Sequence, residues 1–133
     1  MIIGIGVDIV SNNRIKHLIN KFNDRFINRI YTDREINYSK KLNSILQISY
    51  FAKRFAAKEA FSKACGIGIG RGINFNDIEI INDIKGKPFI CLNQNKTEYI
   101  QNLHNCKKFK IHLSLSDEKE NSIANVIIEK LTL

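Results

Sequence analysis

The sequence predicts an α+β fold: one small domain in which an antiparallel sheet wraps around a long central helix. Three observations carry this prediction. Met1 to Val10 is an apolar, β-branched run of the kind that forms a buried strand. Arg54 to Cys65 is dominated by Ala, Lys and Glu, all good helix formers, and Gly66 follows where a left-handed C-terminal cap would be needed. From Asp77 onward the chain alternates polar and apolar residues in several short segments, as half-buried strands do.

Taken in order, the first strand contains one ionisable residue, Asp8. A lone carboxylate in an apolar run is costly to bury without a hydrogen-bond donor or a cation. Ser11 or Asn12 can cap a helix from Asn13 to about Asn23, on which Ile15, Leu18, Ile19 and Phe22 recur at helical spacing. Arg14, Lys16 and Lys21 fall on its wetter faces. Asp24 to Ile30 reads as a second short helix. Thr32 then caps a third, running through Ile36, Tyr38 and Leu42, with acidic residues in its first turn.

The chain enters the central helix after Asn43, and the pattern is clear from about Ser49 to Cys65. At about 100° per residue, Phe51 and Phe55 make one side and Ala52, Ala56, Ala60 and Ala64 another, so the helix packs on more than one side. Glu59 and Lys63 lie one turn apart and can pair or share a ligand. Four alternating glycines, Gly66 to Gly72, follow the helix. Phosphate-binding P-loops and dinucleotide folds place their glycines before a helix, so those two readings are excluded.

Asp77 to Ile81 and Pro88 to Leu92 form a hairpin turning at Gly86. A helix is expected at Thr97 to Leu103. Strands follow at Lys110 to Ser116 and Ser122 to Leu131, with Asp117 to Asn121 as the turn between them.

Length and composition fit a single domain spanning residues 1–133, with 44% hydrophobic and 26% charged residues. There is no run of eighteen apolar residues and no signal-peptide pattern, which places the expectation in the cytoplasm and away from membranes. Cys65, Cys91 and Cys106 lack the number and spacing for a disulfide framework or a zinc site. The formal net charge of +8 implies an anionic partner: nucleic acid, a membrane surface, a phosphorylated small molecule or an acidic protein. Charge alone does not choose among them, and the abundance of Ile, Asn and Lys also fits a compositional bias.

Asp8 and Glu59 are both carboxylates in apolar settings. A magnesium ion taking one carboxylate from each, with phosphate and water oxygens completing its shell, would satisfy both. Lys58 and Lys63 flank Glu59 and would then meet the ligand's anionic groups.

The motifs Gly4-Ile5-Gly6-Val7-Asp8-Ile9-Val10, Arg54-Phe55-Ala56-Ala57-Lys58-Glu59-Ala60-Phe61-Ser62-Lys63-Ala64 with its glycine tail, Gly86-Lys87-Pro88 and His112-Leu113-Ser114-Leu115-Ser116-Asp117 stand in the order found in the holo-[acyl-carrier-protein] synthase family. The chain resembles that family of phosphopantetheinyl transferases over nearly its whole length. The resemblance implies the 4'-phosphopantetheinyl transferase fold and transfer of the 4'-phosphopantetheine arm of coenzyme A to a serine of apo acyl carrier protein, in fatty acid biosynthesis. It also implies magnesium held by Asp8 and Glu59, catalysis by Glu59 and Lys63, and coenzyme A contacts from Arg54, Lys58, Lys63, Gly66, Gly86 and Pro88. A homotrimer with sites between subunits is implied as well, and an acidic carrier protein gives the basic charge a use, with Arg14 as the dock.

Many members of the family carry a His where this chain has Asp117, and that His has been considered a coenzyme phosphate contact; others have Asp-Glu there, as here. The resemblance therefore carries no catalytic role to Asp117, and His112 serves its strand. An Asp near phosphates needs a neighbouring cation. The alternative reading is a small basic nucleic-acid-binding module. It would require aromatic residues interleaved with basic ones on an exposed sheet, whereas Phe51, Phe55 and Phe61 sit on the packed helix.

Overall fold

The structure, a computed structural model, describes residues 1–132. Strand β1 (Ile2–Ser11) leads into helices α1 (Asn12–Phe22), α2 (Asp24–Ile30) and α3 (Asp33–Ser39), then the long α4 (Ser44–Cys65). A single 3-10 turn at Phe75–Asp77 precedes the hairpin β2 (Ile78–Asn82) and β3 (Pro88–Leu92). Helix α5 (Gln94–Leu103) and strands β4 (Phe109–Asp117) and β5 (Asn121–Lys130) complete the chain. The strands form an antiparallel three-stranded sheet in the order β1-β5-β4 and a separate two-stranded sheet of β2 and β3.

Both sheets pack on α4, which supplies much of the core: Phe51, Ala52, Phe55, Ala56, Ala57, Ala60, Phe61 and Ala64 are all buried. The three-stranded sheet can approach this closely because β1 lacks side chains at the crossing. A Cβ on Gly4 would fall on the carbonyl oxygen of Ala64, and one on Gly6 on that of Ala60. These two glycines lay β1 directly on the helix backbone and fix where Asp8, two residues further, emerges.

The helix caps follow from short polar side chains. The Ser11 hydroxyl accepts from the Arg14 amide, and Thr32 forms a capping box with Glu35. Asn43 accepts from the Leu46 amide and starts α4 five residues before Ser49, where the periodicity first becomes clear. Gly66, at φ +77°, supplies the left-handed cap that ends it. Asn93 likewise starts α5 at Gln94, three residues ahead of expectation. Two boundaries differ in the other direction. Helix α3 ends at Ser39 and leaves Leu42 in a turn. Asp77 belongs to the 3-10 turn, its carboxylate accepting from the Asn74 amide, so β2 begins at Ile78.

The start of α1 is pinned to the far end of the sheet. The Asn12 side chain donates to the Glu118 carbonyl at 3.0 Å and accepts from the Ser122 hydroxyl at 2.6 Å. This holds Arg14 at the edge where β1 meets α4.

Candidate active site

Asp8 leaves β1 opposite Ala124 of β5, a small residue that gives it room. It faces Lys63, in the last turn of α4, whose ammonium donates to Asp8 Oδ1 at 3.0 Å and to the Val7 carbonyl at 3.1 Å. Glu59, one turn earlier, shares this corner. Burial pushes its carboxyl above the ordinary range, the nearby Asp8 carboxylate pushes it further, and Lys63 and Arg14 oppose both. Two acids, a lysine and an arginine from β1, α4 and α1 thus converge, and Gly66 stands at the C-terminal cap just beyond them.

Among the described residues no three His, Cys, Asp or Glu side chains gather as a metal cage. The side chains in this corner that could hold a divalent cation are the two carboxylates Asp8 and Glu59. That donor set suits magnesium, which is commonly held by one or two carboxylates with ligand phosphates and waters completing its octahedron. The Glu59 pKa is raised chiefly by burial and further by the Asp8 carboxylate, so a cation in this corner would be favoured by both acids.

Beside this corner lies a groove of about 390 Å³. Arg14, Arg25 and Arg29 rim it, and Phe22, Phe26 and Phe55 form much of its floor. Arg25 and Arg29 enter this groove only through the packing of α2 against α1. In the sequence Arg25 is a weaker docking candidate than Arg14, as are Lys16 and Lys21, while Arg29 is signalled only by its helical spacing from Arg25.

The expectation that Lys58 meets a coenzyme is corrected. Its side chain is fully buried, and its ammonium donates to Glu35 Oε1 at 2.6 Å, to the Ile30 carbonyl at 2.8 Å and to the Phe75 carbonyl at 3.2 Å. With those three acceptors its donors are used. Burial holds the Lys58 pKa below the ordinary lysine value against the pull of Glu35. Glu35 itself accepts from the Thr32 and Ile80 amides. The pair joins the end of α2, the start of α3, α4, the 3-10 turn and β2, which makes Lys58 an internal tie.

Arg54 lies on the same side of α4 as Lys58 and is almost fully buried. Its guanidinium sits 3.9 Å over the Tyr50 ring and donates to Asn82 Oδ1 at 3.1 Å, while its Nε has no hydrogen-bond partner among the described residues. Asn82 is the register partner of Pro88, and Gly86, at φ +86°, makes the turn between them. Arg54, Gly86 and Pro88 therefore form a second group at the hairpin. Glu59 is five residues from Arg54, roughly 140° around the helix, so the predicted coenzyme residues divide between two sides of α4.

Asp117, at the end of β4, lies 3.5 Å from the Lys53 ammonium. This is the neighbouring cation that its position calls for. His112 pairs across to Glu129 of β5 at 2.8 Å, a cross-strand role apart from the acid pair. Cys65, Cys91 and Cys106 are free thiols; burial pushes Cys65 up to about 12.

The chain is similar to known proteins over nearly its whole length. A sequence model described as "4'-phosphopantetheinyl transferase superfamily" matches residues 4–124. The chain is 47% identical over 129 residues to the holo-[acyl-carrier-protein] synthase of Wolbachia pipientis subsp. Culex pipiens, covering 96% of this chain and 98% of that protein. It superposes on the crystal structure of the Neisseria meningitidis holo-[acyl-carrier-protein] synthase with a TM-score of 0.87 at 39% identity, over 98% of this chain and 100% of that one. It superposes on the Bacillus anthracis holo-(acyl-carrier-protein) synthase in complex with CoA (3',5'-ADP) with a TM-score of 0.81 at 40% identity, over 98% and 99%.

Proposed function

The chain belongs to the 4'-phosphopantetheinyl transferase superfamily, and from that premise we propose how its residues perform the transfer. It moves the 4'-phosphopantetheine arm of coenzyme A to a serine of apo acyl carrier protein. The serine oxygen forms a bond to the phosphorus that carries pantetheine, the bond from that phosphorus to the bridging oxygen breaks, and adenosine 3',5'-bisphosphate leaves. The serine gives up its proton.

The observation that carries the assignment is the convergence of Asp8, Glu59 and Lys63. Asp8 and Glu59 would hold magnesium, a Lewis acid that would offset pyrophosphate charge in this corner. Lys63 presents its ammonium to the reacting phosphate and stabilises the negative charge that builds there. Gly66 keeps the end of α4 free of side chain beside the ligand. Arg54, Gly86 and Pro88 bind the nucleotide portion of the coenzyme.

Because those two groups lie on different sides of α4, a site joining them is best completed between copies of the chain, as in a homotrimer. The outward face of β1 supports this reading: Ile5, Val7 and Ile9 are 67%, 52% and 64% exposed on a paired strand, an apolar face of the kind that subunits cover. Arg14, with Arg25 and Arg29, docks the acidic carrier, and the phenylalanine floor of the groove receives its apolar residues. We place the whole chain, as one transferase domain, in fatty acid biosynthesis in the cytoplasm. No helix among the described residues is long and apolar enough to cross a membrane.

The nucleic-acid alternative has no support: Phe51, Phe55 and Phe61 are core residues, and the exposed face of β1 presents Ile and Val. The test is incubation of the chain with coenzyme A, magnesium and an apo carrier protein, followed by intact-mass measurement. A gain of one phosphopantetheine on the carrier is expected. An unmodified carrier, where a control synthase modifies it, would refute the assignment.

A further inference from the structure

We propose that Lys63 is the resident counter-ion of Asp8, and that it must be displaced before a divalent cation can be held there. The site then takes its metal and its phosphate ligand together. This inference rests on the metal-site reading above.

The ammonium of Lys63 is anchored on β1 by two acceptors, Asp8 Oδ1 at 3.0 Å and the Val7 carbonyl at 3.1 Å. It therefore occupies Asp8 Oδ1, an oxygen that a cation held by this carboxylate would compete for. A divalent ion on Asp8 and an ammonium within hydrogen-bond distance of the same carboxylate repel each other as like charges in a partly buried corner. One of them must leave. Asp8 cannot, because β1 is paired along its length with β5 and pressed on α4 at Gly4 and Gly6. Lys63 can: its side chain is 54% exposed against 17% for Asp8, and four methylenes give it reach.

Once released, the ammonium needs another anion. The pyrophosphate that completes the metal's shell supplies one within the same corner. Metal binding thus frees Lys63 for the phosphate, and phosphate binding draws Lys63 off Asp8. By thermodynamic linkage each ligand tightens the other by the same factor. Arg14 and Glu59 are the other charged groups facing this corner.

The test is Mn2+ binding to the full chain, read by electron paramagnetic resonance of the free ion at a mildly alkaline pH, with and without coenzyme A. Without coenzyme A, Lys63→Met should bind Mn2+ about five- to tenfold more tightly than the unsubstituted chain, the low end of coupling between sites. Lys63→Arg keeps the charge and should show no gain. The tightening produced by coenzyme A should be smaller in Lys63→Met than in the unsubstituted chain. Adding Asp8→Asn to Lys63→Met should erase the gain. Unchanged or weaker Mn2+ binding by Lys63→Met, or a gain that survives Asp8→Asn, overturns the proposal. Those outcomes leave the metal site standing if the unsubstituted chain binds Mn2+ in the presence of coenzyme A. Absence of binding even then overturns the metal-site reading and this inference with it.

Discussion

Replacing Lys58 with Met separates the two roles that the sequence and the structure give this residue. Methionine keeps most of the apolar stem, so little cavity is left. What disappears is the ammonium that satisfies Glu35 Oε1 and the carbonyls of Ile30 and Phe75. Glu35 is 1% exposed and keeps only the Thr32 and Ile80 amides as donors. Removing one partner of a buried ion pair costs about 3–5 kcal/mol. The lost carbonyl contacts are part of that figure and do not add to it. Against a domain stability of about 5–15 kcal/mol this is a large fraction.

In urea, with a slope of about 2 kcal/mol per molar, the unfolding midpoint of Lys58→Met should fall by about 2 M. Combining it with Glu35→Gln should recover part of the loss, because the two positions are coupled. Below the unfolding transition, the KM for coenzyme A should be unchanged. A midpoint shift under about 0.5 M, too small for a buried pair, together with a raised KM for coenzyme A, would refute the internal-tie assignment and restore Lys58 to the ligand.

Gly6→Ala should destabilise by about 1–3 kcal/mol or more, because its Cβ meets the Ala60 carbonyl, which no rotamer change can move; thermal unfolding measures this, and a neutral result would contradict the close crossing of β1 and α4. Tyr50 is buried and its hydroxyl donates to the Glu35 carbonyl, with its pKa raised by burial from 10.0 to about 12. Its contribution is therefore complete below pH 10 and lost as pH rises toward about 12, so stability should fall across that window. Tyr50→Phe should flatten the fall in urea midpoints measured between those pH values, and an unchanged slope would count against it. Arg14→Ala should raise the KM for the carrier protein about fivefold or more at low salt and less at high salt, as expected of a screened docking charge, with the KM for coenzyme A unaltered.

The acid pair and its lysine were legible because their signals are local. Asp8 is the one ionisable residue in an apolar strand, and Glu59 and Lys63 stand one turn apart on a helix whose other faces are plainly apolar. Lys58 and Lys63 look alike in the sequence, both being lysines near Glu59. Only the fold distinguishes them: Lys58 faces α3 and β2, and Glu35, its partner, is 23 residues away. No periodicity reports such a pairing.

Gly4 and Gly6 read as ordinary members of a strand, since close backbone approach leaves no trace in hydrophobic pattern. The first turn of α4 was obscured by Ile45 and Leu46, which are 81% and 51% exposed and break the apolar stripe. The Asn43 and Asn93 caps were the available signal for the early starts of α4 and α5. The groove below Arg14 needed α2 folded back on α1 before its arginines and phenylalanines became one surface.

Whether Asp8 and Glu59 build the transfer site is read from the single-turnover rate of carrier modification by Asp8→Ala and Glu59→Ala at saturating coenzyme A and magnesium, with circular dichroism confirming the fold. Loss of either carboxylate is expected to slow transfer by about a hundredfold or more, the scale of removing a group that stabilises transition-state charge. Transfer at a near-unsubstituted rate by either folded variant would show that the carboxylate removed is not part of the site.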